Sequence, residues 1–121
     1  MQKEVSDWFE QAQSDLKAAQ NSLNSKNFDW ACFQAQQAAE KGIKALILKK
    51  ENRIIKTHDL VFLGERINLP DSFKDICKEL TVVYAAVRYP GSGEIRDIKQ
   101  KSQKYISFVG DLLTWIKKQL S

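Results

Sequence analysis

Breakers of regular structure are scarce in this chain. Of 121 residues, two are proline and five are glycine. Pro70 stands alone, and Pro90 stands beside Gly91 and Gly93, so two breaks are marked and long elements are expected between them. Histidine occurs once, at position 58, and cysteine twice, at 32 and 77. One imidazole and two distant thiols do not supply the usual ligand set of a zinc site, and neither a metal nor a cofactor is expected. Each cysteine falls inside an apolar helical pattern, which predicts buried free thiols of a reducing compartment. No run approaches the roughly 20 apolar residues of a membrane span. The stretch MQKEVSDWFEQ has no apolar core of signal-peptide length. The expectation is a cytoplasmic protein. Alternating strand patterns are also missing, and with them any glycine loop that follows a strand and cradles phosphate. Carboxylates are scattered, and none pair at glycosidase or di-metal spacing.

What is present is helical periodicity. Val5, Trp8, Phe9, Ala12, Leu16, Ala19 and Leu23 step by three or four, one apolar stripe with Ser6 as the expected N-cap. A second helix is predicted from about Phe28 to Lys50. Its stripe is made of small residues, Ala31, Ala35, Ala38, Ala39 and Gly42, finished by Ile43, Leu46 and Ile47. Gly42 inside that stripe predicts a close approach by another helix. Glu51 to Lys56 reads as a loop. A short helix from His58 to Ile67 follows, with Thr57 as its N-cap and His58 in its first turn. Asp71 or Ser72 is expected to cap a fourth helix, which stops at Tyr89 because the residue before a proline avoids helical geometry. Gly91-Ser92-Gly93 reads as a hinge, and a last helix is predicted from Glu94 to Leu120. The fold class is therefore all-α. One domain over residues 1–121 is expected, an antiparallel up-and-down bundle of four to five helices.

Lys and Arg number 19 against 15 Asp and Glu, a formal charge of +4. That excess permits contact with phosphate without demanding it. Three segments carry residues suited to chemistry. On the second helix, Gln36, Gln37, Glu40, Lys41 and Lys44 make a polar face, with Glu40 and Lys44 in the favourable i,i+4 order. Around the Pro90 turn, Arg88, Tyr89, Arg96, Lys99 and Lys101 combine a guanidinium fork with an aromatic ring, a pairing suited to phosphate and base. The third segment is RIIKTHDL, where Arg53 stands five positions before His58. An arginine can stabilise a phosphorane and a histidine can move protons, but only if folding aims both at one place.

The order of these segments resembles the HEPN domain (higher eukaryotes and prokaryotes nucleotide-binding). A tryptophan-led first helix with DLKAAQ comes first, then F-x-A-Q-Q-A-A-E-K-x-I-K-A-L, then T-H-D-L, then an R-Y-P turn, then an amphipathic helix. The resemblance spans nearly the whole chain and implies a helical bundle, commonly a homodimer and often paired with a minimal nucleotidyltransferase in toxin–antitoxin modules. Many members are metal-independent ribonucleases with an Arg-x4-6-His motif near the start of the last helix. The corresponding region here, from Arg88 to Glu94, keeps the arginine and has no histidine. The expectation is therefore a non-catalytic HEPN protein that binds a nucleotide or RNA, a nucleotidyltransferase, or both. Its contacts would be Arg88, Tyr89, Arg96, Lys41 and Lys44. The alternative is a HEPN endoribonuclease toxin using His58 with Arg53 or Arg88.

Overall fold

The computed structural model describes residues 2–89, 91 and 94–121, and among them every regular element is a helix. These are α1 (Lys3–Asn24), α2 (Phe28–Glu51), α3 (Leu60–Arg66), α4 (Asp71–Arg88) and α5 (Ile98–Leu120). None is long and apolar enough to cross a membrane. Residue pairs set the directions. Ser22 meets Gln34 and Asp15 meets Lys41, so α1 and α2 are antiparallel. Gly42 lies against Leu113, and the Lys49 ammonium reaches the Leu120 carbonyl at 2.6 Å, so α5 runs parallel to α2. Lys104 meets Glu79, and Phe73 meets Phe108, so α4 is antiparallel to α5. The result is an up-and-down bundle with α2 at its centre, packed against all four other helices.

The small-residue stripe explains that position. Ala31, Ala35, Ala38 and Ala39 are completely buried. A Cβ on Gly42 would intrude on the Leu113 side chain and sit 3.3 Å from Ile116. The missing side chain is what lets α5 close on α2, as the stripe predicted. Cys32 and Cys77 are buried free thiols, and burial pushes both pKa values up to about 12, leaving them inert near neutral pH.

Helix starts differ from the sequence reading in four places. Ser6 is not a cap: α1 begins at Lys3, and the Ser6 amide already bonds the Gln2 carbonyl at 3.0 Å. An i,i+4 pair of Lys3 with Asp7 supports the extra turn. Thr57 does not cap α3. Asp59 does, accepting from the amides of Val61 (3.0 Å) and Phe62 (3.3 Å), while the Thr57 hydroxyl accepts from the Asp59 amide. His58 thus lies outside the helix rather than in its first turn. At α4 neither Asp71 nor Ser72 caps. Pro70 occupies the N-cap position, and its carbonyl accepts from the Phe73 amide at 2.9 Å. The fourth helix ends at Arg88 with Tyr89 as its extended C-cap, where the sequence placed the stop. Helix α5 starts at Ile98, because Asp97 takes a left-handed conformation (φ 53°) that a continuing helix cannot include. Of the Gly91-Ser92-Gly93 hinge, Ser92 and Gly93 lie outside the described residues, as does Pro90.

Candidate functional site

Three side chains of α2 stack at i, i+4 and i+8: Gln36, Glu40 and Lys44. All three are buried, at 0%, 5% and 6% exposure. A carboxylate and an ammonium are withdrawn from water only when they are well partnered, and these are. One Glu40 oxygen, Oε2, accepts from Lys44 Nζ at 2.9 Å. The other, Oε1, accepts from Gln36 Nε2 at 3.2 Å and meets His58 Nδ1 at 2.8 Å. Gln36 Nε2 also reaches the His58 carbonyl at 3.2 Å, and Gln37 donates to Gln36 Oε1 at 2.8 Å.

This network settles the histidine geometry. The segment entering α3 is tied to α2 through its backbone by Gln36 and through its ring by Glu40. A carboxylate accepts only from a protonated Nδ1, so the proton sits on that nitrogen and Nε2 is turned to the opposite side of the ring. More than half of the His58 side chain, 59%, remains exposed.

Beyond His58 a row of aromatic rings leads to the surface. His58 and Tyr84 have centroids 5.2 Å apart, Tyr84 and Phe33 5.3 Å, and Phe33 and Trp30 4.8 Å with planes within 3°. Trp30 and Phe33 are neighbours on α2 by the i,i+3 spacing, and Tyr84 comes from α4. The outermost ring, Trp30, is 51% exposed. Arg88, one turn after Tyr84, places its guanidinium carbon 6.0 Å from the Tyr84 centroid. Burial raises the Tyr84 phenol above its ordinary pKa, with Arg88 acting against it and Glu40 in the same sense. His58 and Arg88, thirty residues apart in sequence (58 and 88), thus share one tyrosine ring.

The other predicted contacts lie elsewhere or are engaged. Arg53 pairs with Glu51 at 3.3 Å, on a carboxylate that Arg66 also grips through Nε and Nη2. Lys41 pairs with Asp15 at 2.7 Å, joining α2 to α1, and Lys44 is held by Glu40. Tyr89 is exposed at the end of α4, and Arg96 is exposed in the turn before α5. Sequence reasoning gave Trp30, Phe33 and Tyr84 no part in a site, and it read Glu40 as part of a polar helix face. The available signal was the spacing Gln36–Glu40–Lys44, which places three polar residues in one line of α2. Among the described residues no group of three or more His, Cys, Asp or Glu side chains is placed to hold a metal ion.

Comparisons with known proteins agree with this architecture. A search of curated proteins finds no match. Among solved structures, the chain is similar to TT1696 from Thermus thermophilus, with a TM-score of 0.86, 27% identity, and coverage of 98% of this chain and 99% of that one. It is equally similar in sequence to ST0689, described as an archaeal HEPN homologue, with a TM-score of 0.80, 27% identity and full coverage of both chains. The family model of the HEPN domain matches residues 5–119. Five helices in this order, the α2 motif at their centre and a family match over nearly the whole length lead to one conclusion: the chain belongs to the HEPN domain family.

Proposed function

We propose that this HEPN protein binds a nucleotide or RNA on the face formed by Trp30, Phe33, Tyr84, His58 and Arg88. The observation that carries the reading is the row of rings running from exposed Trp30 to His58 with a guanidinium over Tyr84. Exposed tryptophan stacks bases of any identity, and arginine offers planar donors to phosphate. In this proposal Trp30 receives the base and Arg88 the phosphate, while Tyr89 and Arg96 extend the contact. Lys41, paired with Asp15 of α1, and Lys44, paired with Glu40 within α2, do not touch the ligand in this proposal. The protein is a homodimer that works with a nucleotidyltransferase partner in a toxin–antitoxin-like module and is cytoplasmic. Exposed Phe62 and Val82, outside the ligand face, support association with a partner. Fluorescence anisotropy with short labelled RNAs and nucleotides tests the binding. Tight binding that Trp30→Ala and Arg88→Ala each weaken is expected, and no binding by the wild type rejects the proposal.

The His58–Glu40 contact favours a second reading, metal-independent RNA cleavage. Here His58 Nε2 takes the proton of a 2′-hydroxyl, whose oxygen attacks the adjacent phosphorus. The 5′-oxygen leaves with a proton taken from water, the His58 imidazolium returns its own proton to solvent, and a 2′,3′-cyclic phosphate remains. Arg88 stabilises the charge gathering on the phosphorane. Arg53, engaged at Glu51, has no part in this step. Incubation with total RNA separates the readings: cleavage by the wild type that is lost in His58→Ala and kept in Arg53→Ala supports catalysis, whereas RNA left intact by the wild type leaves binding alone.

A further inference from the structure

On the side of the bundle formed by α1 and α5 lies an open groove of about 540 Å³. Phe9, Leu16 and Ile106 give it apolar walls, and Lys17 and Lys117 stand at its rim. It shares no residue with the ring row around His58. Gly110 lies within it, in the middle of α5.

The glycines explain why this groove differs from an ordinary dent between helices. A Cβ on Gly42 or Gly64 would run into the chain itself, at Leu113 or at Leu69 (2.9 Å). A Cβ on Gly110 would meet nothing within 4 Å. A glycine in mid-helix weakens that helix relative to alanine, and no neighbour within the chain accounts for this one. The space it leaves opens α5's backbone to a close approach from outside. The charge on the rim restricts what approaches. No carboxylate lines the groove. Among the described residues neither Lys17 nor Lys117 has an ion-pair partner. A second copy docked groove to groove would bring four lysines together with no carboxylate from either groove to meet them.

We infer that the α1–α5 groove is a docking surface for an acidic amphipathic helix of a partner protein. The partner's apolar face crosses α5 at Gly110, and its flanking carboxylates meet Lys17 and Lys117. The probe is a synthetic helical peptide with a Leu–Ala face flanked by glutamates, compared with the same peptide flanked by lysines. Anisotropy and amide NMR shift mapping follow binding. The glutamate peptide is expected to bind about tenfold or more tighter than the lysine peptide, with shifts centred on Gly110. The double charge reversal Lys17→Glu with Lys117→Glu inverts that preference. Gly110→Ala raises Tm and weakens the peptide by about tenfold, a pairing that general destabilisation does not produce. Equal or absent binding of the two peptides, shifts centred elsewhere, or unchanged binding in Gly110→Ala overturns the inference. So does light scattering that finds self-association abolished by Gly110→Ala, which assigns the groove to a second copy.

Discussion

Two carboxylates in this bundle each gather nitrogen-bearing side chains, three at Glu40 and two at Glu51, and they do so in opposite surroundings. Glu40 sits inside, 6% exposed at its side chain, between Lys44 and His58. Glu51 sits at the end of α2, 26% exposed, between Arg53 and Arg66. Water screens the second cluster, so its geometry costs little to keep or to lose. The first cluster has no such relief. Its carboxylate and its ammonium were both desolvated on folding, and each depends on the other being present. The same chemical pattern therefore acts as a surface tie at one end of α2 and as a determinant of structure in the middle.

Substitution of Glu40 should break this contrast most severely. Glu40→Ala leaves the Lys44 ammonium buried without a counter-charge, and a loss of about 3–5 kcal/mol is expected in urea unfolding. Lys44→Met keeps the apolar stem and leaves Glu40 with Gln36 and His58. Its expected cost is smaller, about 1–3 kcal/mol. His58→Ala removes one partner from a half-exposed position and should cost no more than about 1 kcal/mol, so its binding and cleavage assays report on chemistry rather than on unfolding. Glu51→Ala should shift Tm least, and whatever shift it shows should shrink as salt is raised. A Glu51→Ala variant less stable than Glu40→Ala would reverse the comparison.

The weakest effect is in acid. Hydrogen bonds from Arg66 hold the Glu51 pKa below its ordinary value, while desolvation works against them. Glu79 is also held low: burial opposes the shift, and hydrogen bonds from Tyr105 and Lys104 outweigh it. A carboxylate whose folded pKa is depressed adds stability above its unfolded pKa of about 4.3, and that stability is lost as pH falls through the folded value. The acid limb of a Tm–pH curve should therefore be shallower in Glu51→Gln and Glu79→Gln than in the wild type.

Fold class and helix order were readable from the chain, because they depend on apolar period and on where breakers fall. The small-residue stripe of α2 foretold the close approach of another helix at Gly42, though not that α2 would pack against all four others. Helix starts were less legible: a serine, threonine or aspartate caps only if the backbone turns there. Asp59 won over Thr57 by reaching two free amides. The candidate site was the least legible. An i,i+4 Glu–Lys pair reads as solvated surface, and only the packing of α3 and α4 onto α2 puts Glu40 inside. Arg88 and His58 were each singled out, but nothing along the chain says that Tyr84 brings them to one ring.

Gln36 offers a way to watch this region without disturbing it. Its side-chain amide is fully buried and bridges the His58 carbonyl and the Glu40 carboxylate. Such protons exchange with solvent only when the surrounding structure opens. The exchange rate of that one NH2 group in D2O is thus a clock for the detachment of the His58 segment from α2, readable in the unmodified protein with or without a ligand.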